Sequence, residues 1–168
     1  VMQEIGTLGG PGSSAYAINQ SGWIVGSADT ESGVFNAFLL REGVMTNLGT
    51  LGGDSSAAYD LNDGGIVVGT SANAAGVCAA AAATLPAPVS PTVAGATCVS
   101  EERESGDDEL LHAAIESAIS PDGRTLYVSN FRRNSVQYLD LASGRVTREV
   151  NTGRHPKILV VSHDGRRL

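Results

Sequence analysis

The chain has 168 residues, enough for one ordinary domain with a real core. Its 21 glycines, 17% charged and 5% aromatic residues suit short strands and tight turns and exclude a disordered tail or a helical bundle. The net charge of −7 is unevenly spread: residues 1–111 hold 2 basic and 13 acidic side chains, residues 112–168 hold 9 and 5.

The basic side chains of the second part are mostly Arg scattered among turns, which fits a solvated loop surface better than a nucleic-acid site. No apolar run reaches the roughly 18–20 residues of a membrane helix. No basic-then-apolar leader opens at Val1, so the chain reads as a mature form, a fragment or a protein that is never exported.

The first feature along the chain is a repetition. "GTLGG" at Gly6 to Gly10 returns unchanged at Gly49 to Gly53. The same offset of 43 residues carries "SSAYAIN" from Ser13 onto "SAAYDLN" from Ser56, and "GWIVGS" onto "GIVVGT". One register over so long a stretch marks an internal repeat with the period of a propeller blade. After an outer strand expected over Val1 to Gly10, the first unit reads as four strands: "AYAIN", "WIVGSAD", "FNAFLLREG" and "VMTNLGTL". Gly, Asn, Asp and Ser clusters between them supply the positive φ angles of tight hairpins. In the second unit "GVFNAFLL" becomes "GVCAAAAA". Alanine packs little volume and has poor strand propensity, so a weak, irregular or helical third strand is expected there. The Pro-containing stretch and the acidic run "SEERESGDDEL" then form an expected exposed insertion over 84–111, its residues 99–110 the most mobile internal segment of the chain.

From Ile115 a second pattern takes over, in which "SPDGRTL" from Ser120 returns as "SHDGRRL" from Ser162, 42 residues later. Asp122-Gly123 and Ala142-Ser143-Gly144 read as hairpin turns. Leu139 and Leu141 should point opposite to Val136 and Tyr138, as in a sheet with both faces buried.

These motifs carry two resemblances. "LGTLGG", the paired "IN" and "LN", "VGS/VGT" and "FNAFLL" over about residues 5–77 resemble the HAF-type extracellular repeat, with Asn36-Ala37-Phe38 where that family has His-Ala-Phe. "SPDG", "LYVSN" and "SGRV" over about residues 113–168 resemble the YVTN-type β-propeller repeat, with Tyr127-Val128-Ser129-Asn130 for the tetrad. The resemblances imply an all-β, propeller-like array of four-stranded antiparallel blades: two HAF-like blades over 1–83, the second degenerate, the insertion, then a YVTN-like blade over 112–168 with the first strand of the next. They imply a secreted or cell-surface protein of bacterial or archaeal type, a binding or surface scaffold with a protein or a surface glycan as partner. They also favour a disulfide between Cys78 and Cys98 over two unrelated buried thiols, a linkage that peptide mapping without reductant would detect.

No catalytic, cofactor-binding or metal set stands out. "DLNDGG" from Asp60 starts like a calcium loop, but Gly64 and Ser71 fill positions where acids are needed, and a hairpin turn explains it. "GGPGSSA" lacks the third Gly of a dinucleotide fingerprint. His112, His155 and His163 fall near junctions that line the channel of a propeller, yet without a carboxylate or Cys at ligand spacing they read as loop residues. Asp122 and Asp164 read as turn formers. The competing readings are a piece of a propeller enzyme of the lactonase or quinoprotein kind, and a chimeric or truncated product without evolved function.

Three blades and a fraction are fewer than the four to eight of closed propellers. An open array leaves blade faces bare, and a lone strand expected over 158–168, carrying the β-prone run Ile158 to Val161, has an unpaired edge. The isolated chain is therefore expected to self-associate, giving a light-scattering mass above the monomer. A sharp monomer with cooperative unfolding would contradict this.

Overall fold

The computed structural model describes residues 4–75, 78–84, 116–130, 134–154, 156, 159–162 and 164–168, with Ala82 the one described side chain of 78–84. The insertion expected over 84–111 and its mobile stretch 99–110 lie outside these residues, Thr84 apart. All described regular structure is β, in eleven strands: β1 (Gly9–Ile18), β2 (Ile24–Thr30), β3 (Phe35–Arg41), β4 (Val44–Gly49), β5 (Gly52–Leu61), β6 (Ile66–Asn73), β7 (Cys78–Thr84), β8 (Ser117–Ile119), β9 (Thr125–Asn130), β10 (Ser135–Asp140) and β11 (Arg145–Asn151). They form three antiparallel meanders, ordered β1-β2-β3-β4, β5-β6-β7 and β8-β9-β10-β11. None of the described sheets closes on itself.

The four strands expected in the first repeat are present, with β1 extended backwards through "GGPGSS". Two expectations fail here. The described part of Val1 to Gly10 is not an outer strand: residues 4–7 lie outside any strand, Leu8 makes only an isolated bridge to Thr30, and Gly9 and Gly10 open β1. The alanine run is neither irregular nor helical: β7 pairs with β6 from Ala72↔Cys78 to Ile66↔Thr84 without a register shift. The β-branched strand beside it supplies the ladder, and the small alanines obstruct nothing, so pairing overrides propensity.

The 43-residue period recurs in three dimensions. β1 and β5 each slip register twice against their partners, between Gly9 and Ser13 and Ala15 and Ala17 in one, between Gly52 and Ser56 and Ala58 and Asp60 in the other. The parallel bridges Leu8↔Thr30 and Leu51↔Asn73 match as well.

Packing follows strand alternation. Val67 joins Val25, Ala37, Leu39, Leu48, Ala58 and Leu61 in the cluster between the first and second sheets. The next residue, Val68, joins Ala82, Ile119, Leu126, Val128 and Leu139 in the cluster between the second and third. The middle sheet therefore buries both faces, which is why "IVVG" is apolar without alternation. Beyond the third sheet, Ala118, Tyr127 and Val136 form a third cluster with Tyr138, Leu159 and Val161. Leu139 and Leu141 face the second cluster and Val136 and Tyr138 the third, as expected. The described part of the Ile158 to Val161 run is not a lone strand. Leu159 and Val161 turn onto the third sheet, while Val160 is 71% exposed. The outer face of the first sheet has no such cover at Ile18, which is 65% exposed where its repeat mate Leu61 is 6%.

Glycine permits the closest backbone approach within each sheet. A Cβ on Gly26 would overlap the carbonyl oxygen of Ser14 and press on the Phe38 ring, and one on Gly69 would overlap the carbonyl oxygen of Ala57. Gly26→Ala and Gly69→Ala should each destabilise the fold by about 1–3 kcal/mol, the usual cost of overpacking, in urea unfolding. An unchanged midpoint for either would show that the bulged backbone gives way freely.

Candidate functional site

The inner strands β1, β5 and β8 lie side by side, one from each sheet, and the turns that follow them form a column. In the first repeat Asn19 Oδ1 accepts the Trp23 N–H at 3.0 Å, and in the second Asn62 Oδ1 accepts the Ile66 N–H at 2.9 Å. The serine pattern builds the same turn one residue longer. Ser120 Oγ accepts the Thr125 N–H, and Ser162 Oγ the Arg167 N–H, both at 2.9 Å. A glycine with positive φ, such as Gly65 (81°) or Gly123 (71°), closes each turn. Two unlike sequence patterns thus converge on one corner.

Successive corners touch. The Asn19 side-chain amide donates to the Asn62 carbonyl at 3.3 Å, and the Gln20 N–H to Asp63 Oδ1 at 2.9 Å. Gly123 sits so near Asn62 and Ile66 that a Cβ there would fall 2.9 Å from the Asn62 amide nitrogen and 2.7 Å from Ile66 Cδ1. A Cβ on Gly165 would stand 3.3 Å from Pro121 Cδ.

The acids of "DLNDGG" are occupied in this stacking. Asp60 Oδ1 accepts the Leu61 N–H at 2.9 Å, and Oδ2 accepts the Ile119 N–H of the next sheet at 3.0 Å. Burial pushes the Asp60 carboxyl above the usual carboxylate range, opposed by those two N–H donors. Glu116 repeats the arrangement one sheet on: burial raises it too, opposed by the Leu159 N–H that it accepts. Asp122 is lowered by the Ser120 hydroxyl and then by the Arg124 N–H, the work of a turn former, and Asp164 is placed alike by Ser162 and Arg166.

The remaining sequence candidates are not assembled into a site. Cys78 opens β7, but its side chain, Cys98, His112, His155 and His163 lie outside the described residues. "GGPG" forms the start of β1. Among the described residues no three His, Cys, Asp or Glu come together as a metal set.

Sequence reading missed one feature. Tyr16 and Tyr59, one repeat apart on β1 and β5, bring their rings to 5.5 Å at 45°. Each is the extra residue of a β-bulge, and bulges re-aim side chains. The signal was there, in the tyrosines that align at the repeat offset in "AYAIN" and "AYDLN". This aromatic pair beside the corner column is the candidate site.

Compared with known proteins, the chain matches no family model and no curated protein. No helix among the described residues is long and apolar enough to cross a membrane.

The Asp60 link generates a prediction. Asp60→Ala strands the buried Ile119 N–H and should cost about 1–3 kcal/mol at neutral pH. Because folding raises the Asp60 pKa, the folded chain holds that proton more tightly than the unfolded one. Its contribution to stability is therefore fullest below the unfolded pKa and is lost as pH rises through the folded value. Unfolding free energies of wild type and Asp60→Asn should diverge in favour of wild type on acidification through that window. Parallel pH profiles would contradict it.

Proposed function

We propose that the chain is a β-propeller-type repeat protein of the cell exterior, a binding or surface scaffold that performs no chemistry of its own. The observation that carries the reading is the column of four equivalent corners, from Asn19, Asn62, Ser120 and Ser162, each touching the next. Antiparallel meanders that stack face to face through their first strands are how propeller blades surround an axis. The HAF-like and YVTN-like patterns in the sequence support the same reading. The junction between them speaks against an accidental chimera, since Asp60 and Asn62 of one pattern fit Ile119 and Gly123 of the other.

Function in such a fold resides in side chains presented at the strand ends and inner edges, so the tyrosine pair is where the scaffold would bind. A protein or a surface glycan is the partner, and copies of the chain associate through the open face at Ile18. Protease treatment of intact host cells tests the location: the protein should be degraded while a cytoplasmic marker survives. Full protection of the protein until the cells are lysed would overturn the reading.

A further inference from the structure

We infer that the chain joins head to tail with a second copy of itself, an open stripe on the first sheet of one copy receiving the segment Leu159 to Val161 of the other. The inference rests on the scaffold reading and specifies which two surfaces meet. Across β1 to β4 the register partners Ile18, Ile24, Leu40 and Met45 form one row. Cross-strand partners share a face, and the adjacent Val25 and Leu39 point the other way, into the cluster shared with the second sheet. The row therefore lies on the face turned away from the second sheet. Ile18 is 65% exposed there, and Ile24, Leu40 and Met45 are half-buried. Phe38 and Ala28, farther along the same face, are buried, so the open part is an apolar stripe beside the corner column.

The repeat shows what covers such a stripe. In the second sheet the same places belong to Leu61 and Val67, and both are buried against the back of the sheet before. The corners carry the same pattern. Gly22, Gly123 and Gly165 hold equivalent places, each donating its N–H to the first residue of its corner. A Cβ on Gly123 would meet Asn62 and Ile66 of the preceding corner, and one on Gly165 would meet Pro121. One on Gly22 would meet nothing within 4 Å. The first corner and the stripe beside it thus keep the shape of a docking face.

The tail offers the matching surface. Leu159 and Val161 pack on the third sheet, and Val160 between them is 71% exposed. The 42-residue offset aligns Val160 with Ala118, which lies on the back of the third sheet, the face that the following segment covers. Val160 is therefore placed to meet a following sheet in the same way. Charge selects the same pairing. Residues 1–48 carry four acids and one Arg, and residues 152–168 carry four bases and one acid. Tail on head sets opposite charges together, whereas head on head or tail on tail sets like against like. Such a contact is heterologous: the two surfaces that meet are different, and every copy owns one of each.

The test is complementation, read by sedimentation velocity on the purified 168-residue chain. The wild type should sediment as a concentration-dependent oligomer. Ile18→Asp and Val160→Asp should each weaken association about tenfold or more, because the contact would then bury an unpaired carboxylate. Both positions are exposed, so circular dichroism and thermal midpoint should stay native. Mixed in equal amounts, at a concentration where each alone is monomeric, the two variants should form a one-to-one dimer and nothing larger. The intact head of one then holds the intact tail of the other. A monomeric wild type would overturn the inference. So would a folded Val160→Asp that associates like wild type, the mark of a head-to-head pair or of another surface, and so would a mixture that stays monomeric. Protease accessibility on intact cells separates these failures from that of the scaffold reading: a surface-exposed chain that stays monomeric remains a scaffold without this contact. A chain protected inside the cell removes the scaffold reading whatever its mass.

Discussion

Everything in this fold depends on backbone N–H groups of one sheet being received by side chains of the next. The Ala37 N–H of the first sheet reaches Ser56 Oγ of the second at 2.9 Å, and Ser56 in turn donates to the Gly49 carbonyl at 2.5 Å. The Ile119 N–H of the third sheet reaches Asp60. Each of these amides is buried, and an unmet buried donor is costly, so each interface has a fixed mutual position rather than a sliding apolar contact. Hydrophobic burial supplies the attraction, and these few polar links fix the register.

The middle sheet serves both neighbours and explains the oddest part of the composition. Its strands need apolar residues on both faces, small enough for two partners to approach. Ala82 stands where the first repeat has Leu39, and it is one of the residues that, with Ala37, Leu48, Ala57 and Val67, border a gap of about 40 Å³. The alanine-rich β7 is held by its ladder with β6. Burying Asp60 at this position is a related compromise, in which a carboxylate is desolvated to satisfy a donor on the neighbouring sheet.

Much of this was readable from the residues. The offset of 43 located β1 to β6 because Gly and Asn at turn positions leave little conformational choice. "SPDG" and "SHDG" marked their corners for the same reason. What could not be read was the equivalence of the "IN" and "SPDG" corners, since Asn and Ser reach the same backbone donors through turns of different length. The tyrosine pair was missed because a bulge is a slip in pairing, visible only once two strands are aligned. β7 was misjudged because propensity describes a residue alone, whereas a strand beside a well-formed partner is held by its ladder. The fate of Leu159 to Val161 turned on an unpredicted contact, the packing of Leu159 and Val161 onto Tyr127 and Val136.

Amide hydrogen exchange at Ala37 and Ile119 tests the account most directly. Ile119 lies on the first strand of its sheet, and its N–H is received by Asp60 of the neighbouring sheet; that of Ala37 is received by Ser56. If the three sheets form one interlocked stack, both amides exchange as slowly as those inside the ladders, and Asp60→Ala selectively speeds exchange at Ile119. Fast exchange at both sites in the wild type, with the ladders still protected, would mean that the sheets fold as independent meanders and that the stack does not exist in solution.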